Sequence, residues 1–160
     1  MRLTLQISFR AIILVATLSI ACSGCFLKPT EHSKHSPIHD YARDGDLFSV
    51  TQDLATNRDD LNLPDDAGLT PLHLATLHCH TNIVAFLLSS HAKVNLASKD
   101  GSTALHFAAQ EGCLNVMTEL LEANAEVNVR DNQHRTPLDR AESWTQKPAA
   151  DLLREHGGIE

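Results

Sequence analysis

Apolar positions along this chain fall in short clusters that return at a fixed distance. Thr70-Pro71-Leu72-His73-Leu74-Ala75 recurs as Thr103-Ala104-Leu105-His106-Phe107-Ala108 and as Thr136-Pro137-Leu138-Asp139-Arg140-Ala141, each time after 33 residues. Ile83-Val84 and Leu87-Leu88 return at the same period as Val116-Met117 and Leu120-Leu121, and Val94-Asn95 returns as Val127-Asn128. Landmarks that keep one register define a repeat, and a repeat of this length builds a stacked array. Two helices per unit are predicted. Thr70, Thr103 and Thr136 can cap the first, and Pro71 or Pro137 fits its opening position, where no backbone donor is needed. Ile83, Val84, Leu87 and Leu88 supply the i, i+1, i+4, i+5 stripe of the second. Helices of about two to three turns are marginal alone, so stacking must supply the stability. Gly68 and Gly101 suit a turn with positive φ before each motif, a place His134 takes in the last unit.

At these residues the chain resembles the ankyrin repeat, whose period and T-P-L-H-x-A signature it shares. The resemblance implies an all-α solenoid of about four helix-turn-helix units joined by β-turn or hairpin loops. It covers about 36–158, in units 36–68, 69–101, 102–134 and 135–158. Ser36-Pro37-Ile38-His39, with Ala42, Gly45 and Leu61-Asn62, opens the first unit one residue out of register; the last runs through Leu152-Leu153 to His156-Gly157-Gly158, one residue short. Asp40, Arg43, Asp44, Asp46 and Asp53 load the first unit with charge, and Asp139, Arg140, Glu142, Arg154 and Glu155 load the last. End units have one face without a neighbour and keep it polar, so these are expected to be solvated caps.

Upstream, Ala11–Ala21 is an uncharged apolar run behind Arg2 and Arg10, followed by small residues. That is the pattern of a secretory signal over 1–21, too short to span a bilayer as a mature helix. Leu18-Ser19-Ile20-Ala21-Cys22 also resembles a bacterial lipobox, departing from it at Ser19, with a second register before Cys25. The expectation is export to the bacterial periplasm or outer membrane with Cys22 acylated, or else simple secretion. Residues 22–35 read as a polar tether, so any membrane contact is through lipid at Cys22.

Of 160 residues, 13 are Lys or Arg and 20 are Asp or Glu; without Arg2 and Arg10 the balance is 11 against 20, or −9. An acidic chain is unsuited to phosphate backbones, so no nucleic-acid partner is expected. No G-x-G-x-x-G, H-E-x-x-H or G-x-S-x-G occurs, and the predicted fold offers a groove without a deep pocket, so the chain reads as non-enzymatic and without a cofactor. Ten histidines invite a metal reading. The resemblance assigns His39, His73 and His106 to a hydrogen-bond network that fixes each turn to its neighbouring unit, and gives His80 a common repeat position. A metal- or redox-linked envelope protein built on His78-Cys79-His80, with Cys113, is the rival reading. Equivalent points on successive units should lie about 10 Å apart, beyond the roughly 4.4–6.8 Å of a disulfide. Cys79 and Cys113 are therefore expected to stay free thiols unless their one-residue offset brings them together.

The function implied by the resemblance is protein binding, by a monomer, through projecting turns and the exposed face of each first helix. Carried over by position, the turn contacts are Asp66, Ala67 and Leu69, then Lys99, Asp100 and Ser102, then Asn132, Gln133 and Arg135. The helix contacts are Arg43 and Asp44, Leu77 and His78, Gln110 and Glu111, and Ser143 and Trp144. Leu77 and Trp144 are the candidate anchors, because large and aromatic groups on a rigid frame carry most binding energy.

Overall fold

Each Thr-Pro or Thr-Ala step places an extended residue before a helix, and the computed structural model, which describes residues 36–159, shows the consequence three times. Thr70, Thr103 and Thr136 sit at φ −88°, −91° and −83° with ψ near 166–169°, and a helix starts at the next residue. The described residues form four antiparallel helix pairs and no strand. They are α1 Pro37–Asp44 with α2 Leu47–Thr56, α3 Pro71–Leu77 with α4 Thr81–Ser89, α5 Ala104–Glu111 with α6 Leu114–Glu122, and α7 Pro137–Ser143 with α8 Lys147–Glu155. A 3₁₀ turn, Arg58–Asn62, follows α2. The signal, the tether, Cys22, Cys25, His32 and His35 lie outside the described residues. Within them no helix is long and apolar enough to cross a membrane.

Small residues let the first helices stack: Ala75, Ala108 and Ala141 are fully buried at one repeat position. Behind them Ile38, Leu72, Leu105 and Leu138 meet Val50, Ile83, Leu87, Val116, Met117, Leu120 and Leu153, all 1% exposed or less, in one continuous core. The second helices thus bury their apolar stripe, as the spacing predicts.

The helices of each pair are joined through a left-handed residue, held by a bond from the following N–H back into the first helix: Asp46 to Tyr41, His80 to Ala75, Cys113 to Ala108 and Gln146 to Ala141. Glycine fills the left-handed position in two units, but Cys79 (φ 56°) and Thr145 (φ 57°) fill it in the others. His134, at φ 62°, likewise takes the turn conformation its glycine counterparts use. Three asparagines clamp successive units: the side-chain oxygens of Asn62, Asn95 and Asn128 accept from the backbone of Lys93, Glu126 and Ile159. The last bond spans the same 31 residues as the other two, and Leu153 and Gly157 stand 33 residues after Leu120 and Asn124, so the fourth unit keeps the period that the sequence pattern reads as one residue short.

Candidate functional site

The turns before α3, α5 and α7 are hairpin-like fingers. Asp65, Ser98 and Asp131 N–H groups donate to Leu69, Ser102 and Arg135 carbonyls at 2.9 Å, and each finger bonds the next, Lys99 N–H to Ala67 and Asn132 N–H to Asp100. Asp65 and Asp131 also accept two backbone N–H groups of their own fingers. The fingers are therefore fixed by backbone bonds, leaving their tips to face solvent.

Below them, the ring of each signature histidine bridges helix and loop. Nδ1 of His73 accepts the Thr70 N–H at 3.0 Å, which fixes the neutral tautomer in which Nε2–H donates to the Leu96 carbonyl, also at 3.0 Å. His106 repeats this with Thr103 and reaches the Arg135 carbonyl of the next finger. Burial pushes His73 down to about 4, partly countered by the Leu96 bond, and burial lowers His106 too. In the last unit the Asp139 carboxylate takes the same capping role on Thr136.

The densest polar cluster centres on Arg140. Its guanidinium donates to Asp131 at 2.8 Å, to the Ser102 hydroxyl at 2.5 Å, to Gln110 at 3.1 Å and to Asp100 at 3.4 Å, and lies 5.8 Å from the Phe107 ring centroid. Burial raises the pKa of Asp131, but bonds from Arg140, Arg135 and Gln133 outweigh it and hold the carboxyl well below its usual range. In Asp100, burial is likewise outweighed by Ser98, Ser102 and Arg140, and the pKa falls to about 2. One cation thus ties two fingers and two helices together. Arg140 was expected among the solvated cap charges; it is 4% exposed, because acceptors from two fingers converge on it.

The family model described as Ankyrin repeats (3 copies) matches residues 38–131 and 91–160. The chain belongs to the ankyrin-repeat family. A search of curated proteins finds no match. The all-α solenoid is the ankyrin architecture, and ankyrin repeats indicate a protein–protein interaction module, whose expected contact surface is the fingers with the first-helix face.

On that surface the predicted residues divide. Asp66, Lys99, Asp100, Asn132 and Gln133 are exposed on the fingers, and His78, Glu111 and Trp144 are exposed at the ends of their helices. Asp44, His78, Glu111 and Trp144 occupy one repeat position, as do Arg43, Leu77, Gln110 and Ser143, so two rows run along the first-helix face. Leu77 and Gln110 are half-buried, and Gln110 is bonded to Arg140. Ser102 is fully buried with its hydroxyl between Asp100 and Arg140, so it supports the finger and is not a contact. Leu69 packs against the core, and Arg135 is paired with Asp131 at 2.9 Å. Among the anchors, Trp144 is 56% exposed. A cavity of about 680 Å³ opens elsewhere, among Leu54, Arg58, Leu61, Phe86 and His91 of the outer side, and none of the predicted residues lines it.

The cysteines depart most from expectation. Cys79 and Cys113 form a disulfide with Cα atoms 5.6 Å apart. The two are not equivalent points: Cys79 is the left-handed residue after α3, whereas Cys113 is the N-cap of α6 in the next unit. The same cross-unit contact recurs without a bond, His80 over Gly45 and Gln146 over Gly112. The one-residue offset is therefore what brings the sulfurs together. It also removes the Cys79 thiol from the metal reading, and His80 turns its ring to the Arg43 carbonyl at 2.9 Å, stacked 6.1 Å from His78. Among the described residues no group of three His, Cys, Asp or Glu side chains is placed to hold a metal.

Proposed function

We propose that this chain is a non-enzymatic, monomeric protein-binding module of the cell envelope. It is exported by its first 21 residues and held at the membrane by acylation of Cys22. Trp144 is the observation that carries the reading: a 56% exposed indole stands in one row with His78 and Glu111, and Arg140 locks the fingers before α5 and α7. Rigid aromatic groups give contact area at low entropic cost, which is what a binding anchor needs. The cross-unit disulfide supports export, because such bonds persist in oxidising compartments. The partner is a single envelope protein, which the module either holds as a scaffold or covers as an inhibitor or immunity protein.

Capture from envelope extract with the wild type and with a Leu77→Arg, Trp144→Ala double variant tests this. The wild type should recover one partner and the double variant, unfolding cooperatively, should lose it. A folded double variant that keeps the partner at equal salt would remove this face from consideration. Assaying the partner's activity with and without the module separates holding from inhibiting. Mass spectrometry of the mature chain should find a diacyl or triacyl Cys22 at its start; an unmodified Cys22 would leave export and remove the anchor.

A further inference from the structure

We infer that the Cys79–Cys113 disulfide is a thiol–disulfide exchange site, attacked at Cys79 by a thiol reductant, whose state sets how firmly the two central units hold their shared part of the first-helix face. The consequence for partner capture rests on the binding reading above; the exchange chemistry does not.

Access fixes the direction of attack. Cys79 is exposed at the mouth of the α3–α4 turn, whereas Cys113 is 7% exposed. An incoming thiolate therefore meets the Cys79 sulfur, and the leaving group is the Cys113 sulfur. Cys113 is the N-cap of the nine-residue helix α6, whose N-terminal dipole favours a departing thiolate. In the first step the reductant's sulfur bonds to Cys79 Sγ, the S–S bond breaks, and its electron pair leaves on Cys113 Sγ, which takes a proton from water. That sulfur lies 3.9 Å from the Thr76 carbonyl oxygen, within reach of a weak S–H donor. A second reductant thiol then displaces Cys79, giving two protein thiols and one reductant disulfide.

The flanking units show that the contact survives without the bond. His80 covers Gly45, with its ring bonded to the Arg43 carbonyl at 2.9 Å, and Gln146 covers Gly112 at the equivalent place; neither contact has a covalent link, and those units remain stacked. Cleavage at the centre should thus loosen one joint while leaving the array standing. The joint carries binding residues: Leu77 and His78 run directly into Cys79, and Gln110 and Glu111 lead through Gly112 into Cys113.

Reduced glutathione, added to the full chain with its disulfide intact, gives the first test after acid quenching and peptide mapping. The mixed disulfide should fall on Cys79 with Cys113 released, by about tenfold over the reverse. Adducts chiefly on Cys113, or none at concentrations that cleave an unstructured disulfide peptide, would overturn the site. Hydrogen exchange tests the consequence: on reduction, and equally in Cys79→Ser, amides at 77–81 and 111–115 should exchange faster while those of α7 stay unchanged. Equal exchange in both states would overturn the loosened joint. A partner captured equally in either state would refute the link between the disulfide's state and binding and leave the binding module intact; a folded, oxidised protein that captures nothing would refute the module instead.

Discussion

Arg140 and Asp131 form an ion pair of 2.8 Å in which the arginine side chain is 5% and the aspartate side chain 1% exposed. The two partners depend on it unequally. Without Arg140, Asp131 still accepts from Arg135 at 2.9 Å and from two finger N–H groups. Without Asp131, Arg140 keeps only Asp100, at 3.4 Å and largely in water, and neutral acceptors. Removing one partner of a buried pair costs about 3–5 kcal/mol when it strands an uncompensated charge, and less when the remaining ion keeps other charged and hydrogen-bonding partners. Asp131→Ala should therefore lower the urea midpoint well below that of Arg140→Met. Equal losses would show that the pair is not the support of these fingers.

The period of 33 made the helix pairs, their caps and the finger positions legible, because each landmark reports a local requirement repeated in space. The Arg140 cluster was not, since its acceptors come from 9 to 40 residues away and charge alone reads as a solvated end. A signal was present: Arg140 falls in register with Leu74 and Phe107, a row that faces inward. Ser102 was misread for the matching reason, as its turn position says nothing of the guanidinium arriving above it. The disulfide was hidden by the assumption that equivalent points govern contact, when the 34-residue separation of the cysteines, one more than the period, pairs unlike positions.

The core and the face should respond differently to truncation. Leu105 is 1% exposed between units, and Leu→Ala at such a site costs about 2–5 kcal/mol. Leu69, half-buried under its finger, should lose less. Trp144→Ala should stay within about 0.5 kcal/mol if the indole is as free as its exposure indicates. Urea titration ranks the three. A Trp144 variant as damaged as Leu105→Ala would identify that ring as cap packing.

Stability should fall with acid in two stages. His73 holds about 4 in the folded chain against 6.5 unfolded, so between those values the unfolded chain binds a proton that the folded one refuses. Its contribution, at most about 3 kcal/mol, is complete above pH 6.5 and shrinks as pH falls to 4. Asp100, at about 2 against 3.8, then loses its own contribution as pH drops below 3.8 towards 2. Urea midpoints at pH 7.5, 5.5 and 4 should decline steadily, and His73→Gln should flatten that decline, leaving the part due to His106. An unchanged slope in His73→Gln would mean the ring titrates normally.

Removing the disulfide separates a chain constraint from a backbone cost. Closing a loop over a separation of 34 restrains the unfolded chain by about 3–4 kcal/mol, so Cys79→Ser with Cys113→Ser should lose close to that amount. That pair, however, leaves a side chain at φ 56°, a left-handed conformation that costs a non-glycine residue about 1 kcal/mol. The neighbouring unit meets the same geometry with Gly112 beneath Gln146. Cys79→Gly with Cys113→Gln copies that arrangement, relieving the backbone and covering the position with an amide. It should regain roughly 0.5–1 kcal/mol over the serine pair, the gain being tempered by glycine's greater freedom when unfolded. Urea unfolding of both pairs beside the oxidised wild type measures the two terms. A glycine–glutamine pair no more stable than the serine pair would show that the third cross-unit contact is not interchangeable with its neighbours.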